Sequence, residues 1–349
     1  MLLKELCYIE TKTINPQNYP EKNFLHYSLP NFDIDRKPKY EKGKYIMSAK
    51  YIVPQNAILF NKLNVRFKRI WNVQDNTYPY SICSGELLPL VVNNSCVIQK
   101  YLYYYLLTDK VNNILVENAH GTSTSHQRIK PINLMNIEVP IPLIKKQNHI
   151  VDTIGSIDDL IEHKLLLLDK LEQLEKNLYL KECLNKDKFS LLDRLQFIKG
   201  KKPKNFTDNG IDYLTIDALE NGNLTYTNDE KLVYCKTNDI LMVMDGASSG
   251  KVYIGYNGVV GSTLAKIKTN INPYYLYIYL KNNYKNIREH NIGSAIPHTN
   301  KDIIYTLKIS NNTISNEIYN FLLNTRINLN IEIIHLKSLK TSYLKKFFG

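Results

Sequence analysis

The stretch YLYYYL at 101–106 returns as YLYIYL at 275–280, 174 residues further on, in a chain of 349 residues. Other echoes keep nearly the same spacing, as a duplicated unit requires. Gly121 and His126 in GTSTSH match Gly293 and His298 in GSAIPH at a distance of 172 residues. Upstream, AILFNKL at 57–63 has its counterpart in DILMVMD at 239–245, displaced by 182. The shrinking offset means that the second copy has shorter loops.

After each copy the pattern changes. Ile150, Ile154, Ile157, Ile161, Leu165, Leu168, Leu171 and Leu178 step by three, four or seven with charges between them, which predicts a long amphipathic helix ending near Leu184. The last stretch repeats the device with Ile318, Leu322, Thr325, Leu329, Glu332, Leu336, Leu339 and Tyr343. An offset of 168 residues puts Ile150 on Ile318 and Leu168 on Leu336. The expected order is an arm (1–144), a long helix (145–187), a second arm (188–310) and a second long helix (311–349).

The seam between the helices is expected to run through Ile154, Ile157, Ile161, Leu168 and Leu171 in the first, and through Leu322, Leu329, Leu336 and Leu339 in the second. It is interrupted by Lys164 and by Glu332, which the same offset makes equivalent. Equivalent residues meet when repeated helices pack antiparallel, so this pair would fix register. The plainer reading is that each long side chain snorkels to the surface.

Within the arms, KYIVPQNAILF, NDILMVMD and KVYIGYNGVVG read as short strands with glycine punctuation. YLYYYLLTDKVNNIL and PYYLYIYLKNNYKNI read as helices, so the arms are mixed α/β. Tyr101, Leu102, Tyr105 and Leu106, like Tyr275, Leu276, Tyr279 and Leu280, follow helical periodicity and are expected to form a core face. The competing reading, aromatics stacking on nucleic-acid bases, rests on 26 tyrosines among many basic residues.

The formal net charge is +12 with a pI near 9.2, and the four segments carry +6, −2, +5 and +3. Most of the basic excess therefore sits on the arms, which favours a polyanionic partner there and a protein partner for the helices. No apolar run approaches the roughly 18 residues of a membrane span. The start, MLLKELCYIETK, carries charges where a signal peptide needs its apolar core. Five scattered cysteines without a Cys-x-x-C or a matched histidine set point to a reduced, cytoplasmic protein without structural metal.

In NKLNVRFKRIW at 61–71, Lys62, Asn64, Arg66 and Lys68 alternate, as residues on one face of a strand do, with Arg69 beside them. Such donors suit phosphate oxygens and base edges, although a solvated face has the same pattern. KGKKPK adds Lys199, Lys201, Lys202 and Lys204, a short cluster that a solvated turn would show equally well, and GASSGKV at 246–252 adds Ser248, Ser249 and Lys251. The latter lacks one residue and the hydroxyl of a phosphate-binding loop, so a polar β-turn near DNA is expected. NPYY at 272–275 resembles an adenine methyltransferase motif without its second proline, and Asn272 with Pro273 suits a helix start. Ser123, Ser125 and His126 in the first arm, and His298 in the second, are expected as loop contacts to a partner, with plain capping as the alternative for the histidines, since neither has an evident acid partner in the sequence.

An arm, a long helix, a second arm and a second long helix, joined by VPIPLIKKQNHIVDTIGSIDDLIEHKLLLLDKLEQLEKNL, resembles the specificity subunits of Type I restriction-modification systems. Pro140, Pro142 and Gln147 match the element that leads into the central helix of that family. The resemblance implies an α/β fold: two repeated target recognition domains separated by two long helices that pack as an antiparallel coiled coil with pseudo-twofold symmetry. It implies a chain without catalysis of its own that reads a split site on double-stranded DNA. Two methyltransferase subunits and restriction subunits would be its partners, with no membrane involved. The chain itself would bind no cofactor, S-adenosylmethionine belonging to the partner methyltransferase. The second copy, LKISNNTISNEI, lacks the prolines of the first, and the first arm has no match to KGKKPK. Rival readings are a DNA methyltransferase or nuclease, disfavoured by the missing cofactor and metal motifs, and a coiled-coil protein that never touches DNA.

Overall fold

The computed structural model describes residues 1–73, 78–119, 127–185, 187–229, 231–293, 295–311 and 313–349. Two compact units make up the chain: Met1–Leu160 with Leu336–Gly349, and Ile161–His335. Each holds one arm together with part of both long helices, Ile144–Cys183 and Asn316–Phe348.

In the first unit a four-stranded antiparallel sheet runs in the order Cys7–Ile9, Leu87–Val92, Ala57–Asn61, Ile70–Asn72. All five residues of Ala57–Asn61 are buried, which explains an apolar run where a half-exposed strand would alternate. A five-stranded sheet follows the order Thr13–Ile14, Lys50–Ile52, Ser81–Cys83, Asn23–Tyr27, Lys39–Lys42, with Asn23–Tyr27 and Ser81–Cys83 parallel.

The second unit repeats this plan. Leu195–Lys199, Leu264–Thr269, Ile240–Val243 and Val252–Tyr253 form the matching antiparallel sheet. Thr225–Thr227, Ile211–Leu214, Gly258–Val260 and Tyr234–Cys235 form the other, again with one parallel pair, Ile211–Leu214 beside Gly258–Val260. The same strand order around the same parallel pair is the structural form of the internal repeat.

The repeated tyrosines lie in the helices Gln99–Leu106 and Pro273–Asn282. Their rings are buried, and their hydroxyls reach the strand or segment that precedes each long helix. Tyr101 donates to the carbonyl of Pro140 at 2.7 Å and Tyr105 to that of Glu138 at 2.6 Å. Tyr275 and Tyr279 donate to the carbonyls of Ser310 and Lys308, both at 3.0 Å. Tyrosine serves here as phenylalanine cannot, because it fills the core while its one donor satisfies a buried carbonyl. Thr108 ends the first helix pattern by accepting from the amide of Val111 and starting a new helix, Asp109–Glu117. Asn272 caps Pro273–Asn282 by accepting from Tyr274 and Tyr275.

Gln147 is fully buried and ties the first long helix to its arm. It accepts from the amide of Ile98 at 2.9 Å and donates to the carbonyls of Cys96 and Pro142 at 2.7 and 2.9 Å. The long helices run antiparallel within each unit. In the first, His149 stacks edge-on against Phe347 and Asp158 pairs with Lys340 at 2.6 Å. In the second, Lys164 pairs with Glu332 at 2.7 Å, Glu175 with Arg326 at 2.6 Å, and Glu182 accepts from the hydroxyl of Thr313.

Ile154, Ile157, Leu171, Leu322 and Leu329 are buried, and Ile161, Leu168 and Leu336 half-buried. Leu339 departs from the expected seam at 44% exposure, and Ile318 is exposed as well. The buried face of the second helix instead follows Tyr319, Leu322, Leu323, Arg326, Leu329 and Ile333. Counting only apolar residues misses Arg326, which is buried because Glu175 and Tyr274 meet it.

Candidate nucleic-acid interface

In the second arm three separate sequence motifs come together. Residues 246–251 form the turn between strands Ile240–Val243 and Val252–Tyr253, leading into a strand rather than the helix that a phosphate-binding loop needs. The segment 295–299 docks on that turn. Gly246 donates its amide to the carbonyl of Pro297 at 2.9 Å, and Thr299 donates its amide and hydroxyl to the carbonyls of Met244 and Val243 at 2.8 and 2.7 Å. Ser249 is buried and donates to the carbonyl of Pro297. Gly250 needs its φ of +90° there, and a Cβ would lie 2.7 Å from Ile287.

Asp245 joins the third motif to these two. One carboxylate oxygen lies 2.8 Å from Lys199 Nζ and the other 2.7 Å from His298 Nδ1. Burial alone would raise Asp245, but Lys199 and His298 outweigh it and hold the carboxyl below its ordinary range. His298 thus has an acid partner that the sequence did not reveal, while its side chain stays 54% exposed. Lys201, Lys202, Lys204 and Lys231, with Asp229 among them, line an open cleft of about 660 Å³, an excess of cations suited to phosphate. Lys251 turns back to Glu220 at 2.6 Å, and Ser248 is half-buried in the turn.

The first arm has the same construction. There the carbonyl of Gln127 accepts from the amide of Asn64 at 2.8 Å, and the amide of Ile129 donates to the carbonyl of Lys62 at 3.1 Å. Residues 62–69 are not a strand face, as their alternation suggested. Asn64 adopts a φ of +50° and its carbonyl accepts from Phe67, making a turn between Ala57–Asn61 and Ile70–Asn72. Lys68 is held by Asp109, and Arg69 is forked onto Asp33 at 2.6 and 2.8 Å. Arg66 stands exposed over the ring of Phe67, and Lys62 is half-buried at the turn. Ser123, Ser125 and His126 lie outside the described residues.

Sequence reading missed Asp33, Asp109 and Asp245, the acids that orient these cations. The one available signal was Asp245, an acid closing an apolar strand just before a glycine-serine turn. Among the described residues no group of acids, histidines and cysteines is placed to hold a metal ion, and no helix is long and apolar enough to cross a membrane.

The sequence model of the family described as Type I restriction modification DNA specificity domain matches residues 1–173 and again 185–340. The chain belongs to this family. The double match gives each arm one copy of the specificity domain together with part of the helix that follows. A curated relative, the specificity subunit of the Type I restriction enzyme MjaVIII from Methanocaldococcus jannaschii, is 31% identical over 128 residues. That match takes in 34% of this chain and only 30% of the relative's length. Among solved structures, the S subunit of a Type I restriction-modification system from M. genitalium superposes with a TM-score of 0.62 at 15% identity, covering 100% of this chain and 95% of that one. It shows that the specificity-subunit fold is shared. The HsdS subunit from Thermoanaerobacter tengcongensis has a TM-score of 0.43 at 17% identity, over 100% and 95% of the two chains.

Proposed function

We propose that this chain is the DNA sequence-specificity subunit of a Type I restriction-modification complex, each arm reading one half of a split site on double-stranded DNA. It acts in the cytoplasm and carries no catalysis of its own. Adenine-N6 methylation and cleavage belong to two methyltransferase subunits and to restriction subunits, with S-adenosylmethionine bound by the methyltransferase. The observation that carries the reading is the repeated site: in each arm a later segment, 127–129 in the first and 295–299 in the second, is bonded onto a hairpin turn, with basic side chains around it. Lys62, Arg66, Lys199, Lys201, Lys202, Lys204 and His298 are the contacts proposed from it, toward phosphates and base edges.

The test is reconstitution. The purified chain alone should methylate and cleave nothing, and DNA methylation should appear when a cognate methyltransferase subunit is added. Methyl transfer by the isolated chain would overturn the assignment of catalysis to the partner.

A further inference from the structure

The buried place that Gln147 fills in the first unit has a counterpart in the second, and the counterpart is open. Gln147 precedes the buried Ile150 and Ile154 by three and seven residues, as Asn316 precedes the buried Tyr319 and Leu323. Ile98, whose backbone amide donates to Gln147, stands three residues before Tyr101, as Asn272 stands before Tyr275. Cys96, whose carbonyl accepts from Gln147, corresponds in the same way to Asn270. One carboxamide thus joins two backbone groups in the first unit. In the second, the backbone amide of Asn272 and the carbonyl of Asn270 have no partner among the described residues. Asn316 is one methylene shorter than Gln147 and is exposed. An open pocket of about 490 Å³ lies here, lined by Asn270, Asn272, Tyr275, Ser310, Asn316 and Arg194.

The difference has a local cause. Glu182, 2% exposed, accepts from the amide and hydroxyl of Thr313 at 3.2 and 2.7 Å, and the prolines of the first copy are missing. The second long helix therefore begins at Asn316 itself, whereas the first begins three residues before Gln147, at Ile144.

We propose that this pocket is a binding site for a primary carboxamide with a carboxylate beside it, supplied from outside the chain. A carboxamide carries an acceptor and a donor on one carbon, which an amide and a carbonyl two residues apart require; a carboxylate would offer the carbonyl no donor, and an ammonium would offer the amide no acceptor. Gln147 demonstrates the fit in the first unit. The neighbouring carboxylate is called for by Arg194, which lies exposed with its guanidinium 5.0 Å from the ring centre of Phe189 and makes no ion pair among the described residues. The volume is within the range of small-molecule sites and exceeds a glutamine side chain, so the flanking backbone enters as well. Such a group belongs either to a glutamine of a partner protein or to a free acylated amino acid, and the site holds independently of what the arms read.

The test titrates N-acetyl-L-glutamine into the full chain labelled at asparagine nitrogens, with the backbone amide of Asn272 followed by NMR. Saturable movement of that signal is expected, with a Kd of about 10 mM or tighter. N-acetyl-L-norleucine, which keeps the carboxylate and lacks the carboxamide, should produce none. Asn316→Gln lets the chain fill its own pocket, so it should weaken probe binding by about tenfold or more and slow hydrogen exchange at Asn272. No saturable response, an equal response to the two probes, or undiminished binding by the variant would overturn the proposal. A second arm separates the sources. If the probe no longer binds once a cognate methyltransferase subunit is bound, the partner supplies the carboxamide; if it binds as before, the ligand is a free molecule.

Discussion

Arg326 lies with its guanidinium 2.6 Å from the carboxylate of Glu175, the two side chains only 10% and 2% exposed. Tyr274 completes the contact, donating to Glu175 while accepting from Arg326 at 3.2 Å. Burial pushes the Tyr274 hydroxyl well above its ordinary range, so it remains a donor. Arg326→Leu should therefore cost about 3 kcal/mol, because the buried carboxylate keeps only Tyr274 and the more distant Lys281, 3.4 Å away. The companion change Glu175→Leu should recover much of that loss, measured as the shift in denaturant midpoint.

Gln147 offers a neutral counterpart. Gln147→Leu keeps the volume but leaves the amide of Ile98 and the carbonyls of Cys96 and Pro142 without their partner. A loss of about 2–4 kcal/mol is expected in denaturant unfolding, with hydrogen exchange quickening first at Ile98.

The repeated tyrosines make a graded prediction. Tyr101→Phe and Tyr275→Phe each remove one hydroxyl from a carbonyl and should cost about 1–3 kcal/mol. Tyr101→Leu should cost more, since it also opens space beside Phe348, whose ring lies 5.3 Å away. Equal losses for the phenylalanine and leucine variants would show that the hydroxyl carries the whole effect.

Lys164 and Glu332 are only partly shielded, so their pair should be worth little. A double-mutant cycle of Lys164→Leu and Glu332→Leu is expected to give a coupling of about 0.5 kcal/mol, with additivity as the contrary outcome.

The arrangement was legible in the sequence wherever periodicity carried it. Tyr101 and Tyr105, four apart, and the heptad-like steps through Ile154, Ile157 and Leu171 identify buried helix faces before any coordinates exist. Two things stayed hidden for physical reasons. Arg326 and Glu175 belong to the buried face as charged residues that neutralise each other, so an apolar count passes over both and misplaces the stripe toward Leu339. The acids of the candidate site lie far from their cations along the chain, 53 residues between Asp245 and His298 and 36 between Asp33 and Arg69. Only the docking of the returning loop and the local packing bring them together. The alternation of Lys62, Asn64, Arg66 and Lys68 misled because the positive φ of Asn64 turns the chain where a strand was expected.

The proposed reading of one half-site by each arm has a direct readout in cells. Its most direct test is a methylome of cells carrying the complete complex, before and after residues 1–144 are replaced by the corresponding arm of another family member. Two short specific sequences separated by unspecified bases are expected, of which the exchange changes one and leaves the other. One continuous short motif, or a change in both halves at once, would contradict it.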